Sequence, residues 1–423
     1  MKEKLIQIIY DLKMQPLVGW VTVVATAMAV FLIMVVVMMQ RINIVPFPPE
    51  SCRDRLLVGK NIHLRADHLE VSSYLSYDVV KELYGGLDGV EEVSYFMSDT
   101  YNSNVVGSTG ETFPATIRDV DGQFFKIFDH PLVAGRYFSE GESESHVAVA
   151  VISKSTAIKA FGTTDCINST LKVNHFPYKV VGVVNDNTAL ARMGSGEVFK
   201  MLSTNPEDRG WRNLNIFGHC AAALLVEPGA DIDNIREQVK GRYAALNTRL
   251  APDSVRAIYH QSPYTAEVYN SDTLYTNTDP DVARGRRIRY LFYLILLIVP
   301  AINLSGMLHS RLRRRVSEIG IRRAFGCTRR RIITDIVVEN MIVTLVGGLV
   351  GLAAGIIFAY SYTGLYETWS NFGENLRPAL GSILNLGTIL IALGVCLVLN
   401  VISAAVPAWQ ASRIDPVEAI NTK

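Results

Sequence analysis

Residues 311–331, RLRRRVSEIGIRRAFGCTRRR, hold nine arginines against one acid, Glu318, and stand between two long apolar stretches. An arginine at the centre of a bilayer costs about 2.5 kcal/mol even on permissive scales, so nine cost on the order of 20 kcal/mol, more than the flanking residues offset. The stretch therefore lies in water, and by the positive-inside rule on the cytoplasmic side. Any fold for this chain has to leave and re-enter an apolar phase around this loop.

The loop has a pattern as well as a charge. Ile321, Ala324 and Phe325 fall at i, i+3 and i+4, which predicts a short helix whose apolar stripe is flanked by Glu318, Arg322 and Arg323. Gly326 and Cys327 interrupt it, and Thr328 suits the N-cap of a second helix with the stripe Ile332, Ile333, Ile336, Val337. A stop-transfer cluster that only sets orientation does not call for an apolar stripe that nothing obvious in its own chain covers. A cytoplasmic partner with an apolar cleft accounts for both the charge and the stripe.

The 423 residues are 49% hydrophobic and only 19% charged, a balance that predicts a membrane protein with one sizeable soluble part. The formal net charge of +1 hides an asymmetry: residues 311–335 contribute +7, leaving the rest of the chain at about −6. A basic patch beside an apolar span points to topology and anionic lipid rather than to nucleic acid. Residues 17–39 run for 23 positions without a charge and follow Lys2, Lys4 and Lys13. They end in Met38, Met39, Gln40 and Arg41 instead of a small-residue cleavage site, so they read as a retained signal anchor with 1–16 in the cytoplasm. A second span is expected at 290–308, kinked at Pro300, with Asn303 and Ser305 available for interhelical hydrogen bonds. A third is expected at 336–362, where Gly347, Gly351 and Gly355 repeat every fourth residue and bare one face to a close neighbour. That neighbour is either a helix of the same chain or a second subunit. A fourth span at 383–406 returns the tail, 407–423, to the side of the arginine loop, 309–335.

The intervening region, 41–288, is too long to be a loop and must fold. β-branched runs at 56–58, 147–152 and 178–184 predict strands, and helical periodicity marks 77–84, 154–161 and 231–246. Two lobes are expected, one before about residue 115 and one from there to 250, while 251–285 is polar and weakly patterned. The expected fold class is thus a membrane α-helical protein with four transmembrane helices and a large α+β extracytoplasmic domain between helices 1 and 2.

Catalytic signatures are missing. The only Gly-Lys pair, Gly59-Lys60, is followed by Asn61 and has no upstream glycine, so no phosphate-binding loop is present, and H-E-x-x-H, C-x-x-C and G-x-S-x-G are absent. No catalytic, cofactor or metal residues are therefore assigned; His63, Asp67 and His68 read as surface residues of a strand and turn. Of five cysteines, Cys52, Cys166 and Cys220 fall in the extracytoplasmic region, where one disulfide is allowed; Cys327 and Cys396 are expected unpaired.

The run EIGIRRAFGCTRRRI, the glycine-rich span after it and the terminal PAWQASRIDPVEAIN resemble the permease domain of the FtsX/MacB-type ABC transporter family over residues 285–423. VDGQFFKIFDHPLVAGRYFSEGE at 120–142, VAVAVISKSTAIKAFG from 147 and YKVVGVVND up to 186 resemble the MacB-type periplasmic core more loosely. The resemblance implies a non-catalytic permease subunit in the cell membrane, the inner one where there are two. A separate ATPase would bind ATP and Mg and dock on a coupling helix built from Glu318, Gly320, Ile321, Arg322, Arg323, Ala324, Phe325 and Gly326. It also implies a second permease chain, identical or homologous, and mechanical work on an extracytoplasmic domain: export or extraction of peptide, lipoprotein or amphiphile, or control of an envelope protein. The alternative is a membrane sensor or scaffold with an extracytoplasmic ligand-binding domain and no transport role.

Overall fold

The computed structural model describes residues 16–66, 69–139, 141–142, 145, 147–188, 190–202, 216–270, 283–288, 290–295 and 316–369, with isolated positions between 298 and 409. The chain divides into an α/β unit, 42–285 with 362–379, and a helical unit, 1–41, 286–361 and 380–423. In chain order, α1 (Pro16–Ile44) precedes β1 (Leu56–Gly59), β2 (Asn61–Ala66), β3 (Leu69–Tyr74), α2 (Tyr77–Tyr84) and β4 (Val90–Met97). Next come β5 (Tyr101–Val106), β6 (Thr112–Val120), α3 (Phe124–Ile127), β7 (Leu132–Gly135), β8 (Val149–Ser153), α4 (Lys154–Phe161), β9 (Thr170–Val173), β10 (Phe176–Val184) and β11 (Val198–Met201). After them stand β12 (Cys220–Val226), α5 (Ile232–Leu250), β13 (Val255–Ile258), β14 (Tyr264–Thr265), α6 (Ala266–Asn270), α7 (Val316–Ala324) and α8 (Arg329–Trp369).

In the α/β unit β11, β8, β10, β9, β5 and β6 are neighbours in that order, and β11 pairs back onto β6, so the six close into a barrel. The sheet continues from β6 through β4, β12 and β1 to β14, while β13, β2 and β3 form a separate three-stranded sheet. β4 and β6 share one register pair, Phe96 with Val120, whereas β4 and β12 pair antiparallel along their whole length, Met97 opposite Cys220 and Val90 opposite Val226. The barrel is thus an insertion between two paired strands. This corrects the lobe boundary expected near 115: β12, α5 and β13 rejoin the first lobe, a return set by pairing between distant strands that leaves no trace in local periodicity.

Local chemistry fixes the helices of this unit. Ser76 caps α2 by accepting from the Val79 N–H, and Ser153 caps α4 by accepting from the Thr156 N–H. Gly162, at φ +75°, closes α4 in the left-handed conformation that suits glycine. Asp231 caps α5, whose Ile235, Val239, Tyr243, Leu246 and Leu250 are buried at helical spacing. The weakly patterned segment after 250 holds β13, β14 and α6.

Several charged groups sit inside and are paired. Lys200 meets Asp119 at 2.5 Å with both side chains almost fully buried, and Arg53 meets Glu50 at 2.6 Å. The Arg118 guanidinium donates to the carbonyls of Ser195, Arg192 and Met97. His63 is buried rather than on the surface, its Nδ1 2.8 Å from His260 Nε2 and its ring stacked on that of His260. Burial, then the His260 ring, lowers its pKa. Asp67 and His68 lie outside the described residues, among which no cluster of three metal-ligating side chains occurs. Cys52, Cys166, Cys220 and Cys327 are not joined in any disulfide among the described residues; Cys396 is outside the described residues.

In the helical unit α1 is 29 residues long and contains the uncharged run 17–39. α8 is unbroken for 41 residues, from Arg329, directly after the expected Thr328 cap, to Trp369, and no proline interrupts it. Among the described residues no helix is long and apolar enough to cross a membrane. The expectations for Pro300, Asn303, Ser305, a continuous fourth span and the last residues of the tail fall outside the described residues.

The glycine face of α8 is closed by α1 of the same chain. A Cβ at Gly347 would stand 2.8 Å from Thr26 Cβ, at Gly351 2.3 Å from the Ala27 carbonyl oxygen, and at Gly355 3.0 Å from Met34 Cβ. Phe31 and Phe358 add an edge-to-face contact at 5.4 Å. Of the two neighbours the sequence left open for this face, the structure supplies the one within the chain.

Candidate functional site

The arginine stretch folds as α7, a sharp turn and the start of α8. The last turn of α7 closes with the Phe325 N–H donating to the Ile321 carbonyl at 3.1 Å and the Cys327 N–H to the Arg322 carbonyl at 3.0 Å. Gly326 stands at φ +87°, the left-handed geometry that ends a helix and that a side chain would strain. Two residues on, the Thr328 carbonyl accepts from the N–H groups of Arg331 and Ile332 and so opens α8.

Ile319 holds this corner together. It packs against Ile332 and Ile336 of α8, with Cys327 and Ile333 around them, and all three central isoleucines are under 10% exposed. Ile319 and Ile321 are two residues apart, which on a helix is about 200°, so anchoring one isoleucine on α8 turns the other away. The expected stripe therefore faces out. Ile321 is 48% exposed and Phe325 88% exposed. Around them Arg322, Ala324, Gly326, Arg329, Arg330 and Arg331 are exposed. Gly320 is buried beside Ile319. The side chains of Glu318 and Arg323 lie outside the described residues. Ile319 was missed because the stripe was counted from Ile321; the signal was present, since Ile319 is the apolar residue on the opposite side of the same turn.

An aromatic ring left this bare is unusual on a soluble surface, since burying a phenylalanine side chain stabilises by about 1.5–3 kcal/mol. With the exposed Arg322, Arg329, Arg330 and Arg331 close to it in the chain, it makes an apolar knob on a cationic segment. Among the described residues the arrangement offers a contact surface, and no group of three metal-ligating side chains occurs there.

Sequence comparison places this corner in a known setting. The family model for the MacB-like periplasmic core domain matches residues 21–242, and that for the FtsX-like permease C-terminal region matches 290–416. The chain belongs to the MacB/FtsX-type family of ABC transporter permeases. Members of this family are membrane proteins that work with an ATPase. This permease is 24% identical over 341 residues to the uncharacterized ABC transporter permease YknZ of Bacillus subtilis, covering 79% of this chain and 77% of that one. It is 22% identical to the macrolide export ATP-binding/permease protein MacB of Bdellovibrio bacteriovorus, covering 82% of this chain and 49% of the relative. Against the pyoverdine export ATP-binding/permease protein PvdT of Pseudomonas putida the identity is 27%, over 71% of this chain and 42% of the relative. The chain thus spans less than half the length of these two ATP-binding/permease proteins. Among solved structures, the extracellular domain of YknZ from Gram-positive bacteria aligns with 47% of this chain and 100% of its own, at 17% identity and a TM-score of 0.33.

Proposed function

We propose that this chain is the four-span permease subunit of an ABC system, that α7 is the seat of a separate ATPase carrying ATP and Mg, and that the α/β unit is the part moved on the far side of the membrane. The spans are the apolar runs 17–39, 290–308, 336–362 and 383–406. In this reading ATP-driven closure of the ATPase pushes on α7, the Ile319–Ile332–Ile336 contact passes the push to α8, and the output is mechanotransmission rather than passage through a channel. A second permease chain, identical or homologous, meets a face other than the glycine stripe, which α1 occupies. The cargo is a peptide, lipoprotein or amphiphile, or the work is done on an envelope protein. The observation that carries this reading is Phe325, 88% exposed on a helix whose other side is fixed to α8.

The test separates the knob from its rim. Truncating an apolar anchor at the centre of a contact costs about 2 kcal/mol or more, roughly thirtyfold in affinity, whereas a rim charge mainly changes association rate. Phe325→Ala therefore abolishes most copurification of the ATPase and most of its stimulation in the reconstituted complex, while Arg330→Ala has a small effect. A Phe325→Ala variant that inserts normally and stimulates ATP hydrolysis like the parent removes the coupling role from this helix. Orientation is checked separately: a cysteine placed at Ser317 stays unlabelled by an impermeant reagent in intact cells, and labelling there overturns the topology.

A further inference from the structure

A cavity of about 470 Å³ opens on the barrel of the α/β unit. Its apolar wall is Val147, Val149, Ile167 and Val181, four branched aliphatic side chains from β8, β10 and the turns beside them. Three charged side chains also line it, Arg136, Glu142 and Lys179, together with the amide of Asn168.

The three charges are not equally available. Arg136 is taken: its two terminal nitrogens bind the two carboxylate oxygens of Glu142 at 2.7 and 2.6 Å. Glu142 also accepts from the Ser139 N–H and hydroxyl, and the Arg136 guanidinium, as the leading cause, holds its pKa down at about 2. The pair stays ionised and closed at any ordinary pH, and its charges cancel. Lys179 is exposed and makes no ion pair among the described residues. Asn168 donates its backbone N–H to the Val180 carbonyl at 2.8 Å, and its side-chain amide has no partner among the described residues. A single net positive charge, an unengaged amide donor and an aliphatic wall converge on one hollow.

We infer that this cavity binds a branched aliphatic group carrying a carboxylate, with the alkyl part against Val147, Val149, Ile167 and Val181 and the carboxylate on Lys179 and Asn168. A monoanion matches the one uncompensated cation, and a planar acceptor with two oxygens serves an ammonium and an amide N–H together. The cavity volume lies in the lower half of the range of small-molecule sites, ample for one such group. Two sources offer this chemistry, a free branched-chain acid and the C-terminal Leu or Val of a peptide. The site is independent of α7, and its test needs no ATPase.

The experiment uses the full chain in phosphatidylcholine nanodiscs, with empty nanodiscs subtracted, and follows binding by saturation-transfer NMR. The probes are 4-methylpentanoate, N-acetyl-leucine and, as the charge control, 4-methylpentylamine. Both acids bind, and the amine binds about tenfold more weakly, the worth of one charge-assisted hydrogen bond. Lys179→Glu reverses that order and Val147→Asp weakens both acids, with the thermal midpoints of both variants unchanged because both positions are exposed. Tighter binding of N-acetyl-leucine assigns the site to a peptide terminus, and tighter binding of 4-methylpentanoate assigns it to a free acid. Equal binding of amine and acids, no binding of either acid, or affinities that ignore both substitutions overturn the inference.

Discussion

Adding one methyl group to α8 tests how closely the two long helices of the helical unit approach. At Gly351 the new carbon would lie 2.3 Å from the Ala27 carbonyl oxygen and 2.8 Å from Val30 Cβ. Backbone cannot rotate away as a side chain can, so the helices must separate by about 1 Å to restore ordinary contact, and overpacking of this kind costs about 1–3 kcal/mol. Gly348, three residues earlier, provides the control, because a Cβ there meets only side-chain carbons at 3.9 and 4.0 Å. Gly→Ala in a helix interior gains about 1 kcal/mol of intrinsic propensity at either position, so this gain cancels in the comparison. Gly348→Ala is therefore neutral or stabilising, and Gly351→Ala is about 1–3 kcal/mol less stable than Gly348→Ala. Thermal unfolding of the two variants in the same detergent, at several protein concentrations, reads the difference. Equal midpoints would falsify the packing of α1 on this face; a gap that depends on concentration would move the contact to a second subunit.

Three further outcomes follow from the α/β unit. Burial raises the Asp121 pKa from 3.8 to about 6 despite bonds from the Ser94 hydroxyl and the Tyr95 N–H. Its contribution is present in full below pH 3.8 and lost as pH rises through about 6, a change of roughly 3 kcal/mol, so stability measured at pH 4 and pH 7 changes less in Asp121→Asn than in the parent by that order. Lys200→Met leaves the buried Asp119 carboxylate without its cation and costs about 3–5 kcal/mol, whereas Lys200→Met with Asp119→Leu recovers much of it in denaturant unfolding. Maleimide labels the half-buried Cys52 and Cys327 in the native protein and reaches Cys166 and Cys220 only after denaturation; a mobility shift on reduction would contradict the lack of a disulfide among Cys52, Cys166 and Cys220.

What the sequence disclosed was what local rules control. The limits of α2 and α4 could be read to the residue because each follows a serine cap and carries an amphipathic period, and Gly162 stops the second. The closed barrel could not be read, because it depends on β6 pairing in parallel with β11, Ile117 beside Val198, through contacts between segments far apart in the chain. The same limit hid His63: charge and strand position suggest a surface residue, and only the approach of His260 from the far end of the unit buries it. At the candidate site Phe325 and Ile321 were legible from spacing. Ile319 was not, because its role depends on where α8 lies. Lys179 and Asn168 gave no signal at all, since an unengaged polar side chain can be recognised only once its neighbours are known.

The unbroken length of α8 has a mechanical consequence. At 1.5 Å per residue its 41 residues form a rod of about 60 Å, roughly twice the hydrocarbon thickness of a bilayer. A rod without a proline joint stores little bending, so an axial displacement at Arg329 arrives at Trp369 nearly undiminished. Its waist, at Gly347, Gly351 and Gly355, meets Thr26, the Ala27 carbonyl and Met34 of α1, with Phe31 against Phe358 beside it. The rod is thus held at backbone distance from α1 along its waist, and a bulky residue there would force the two helices apart.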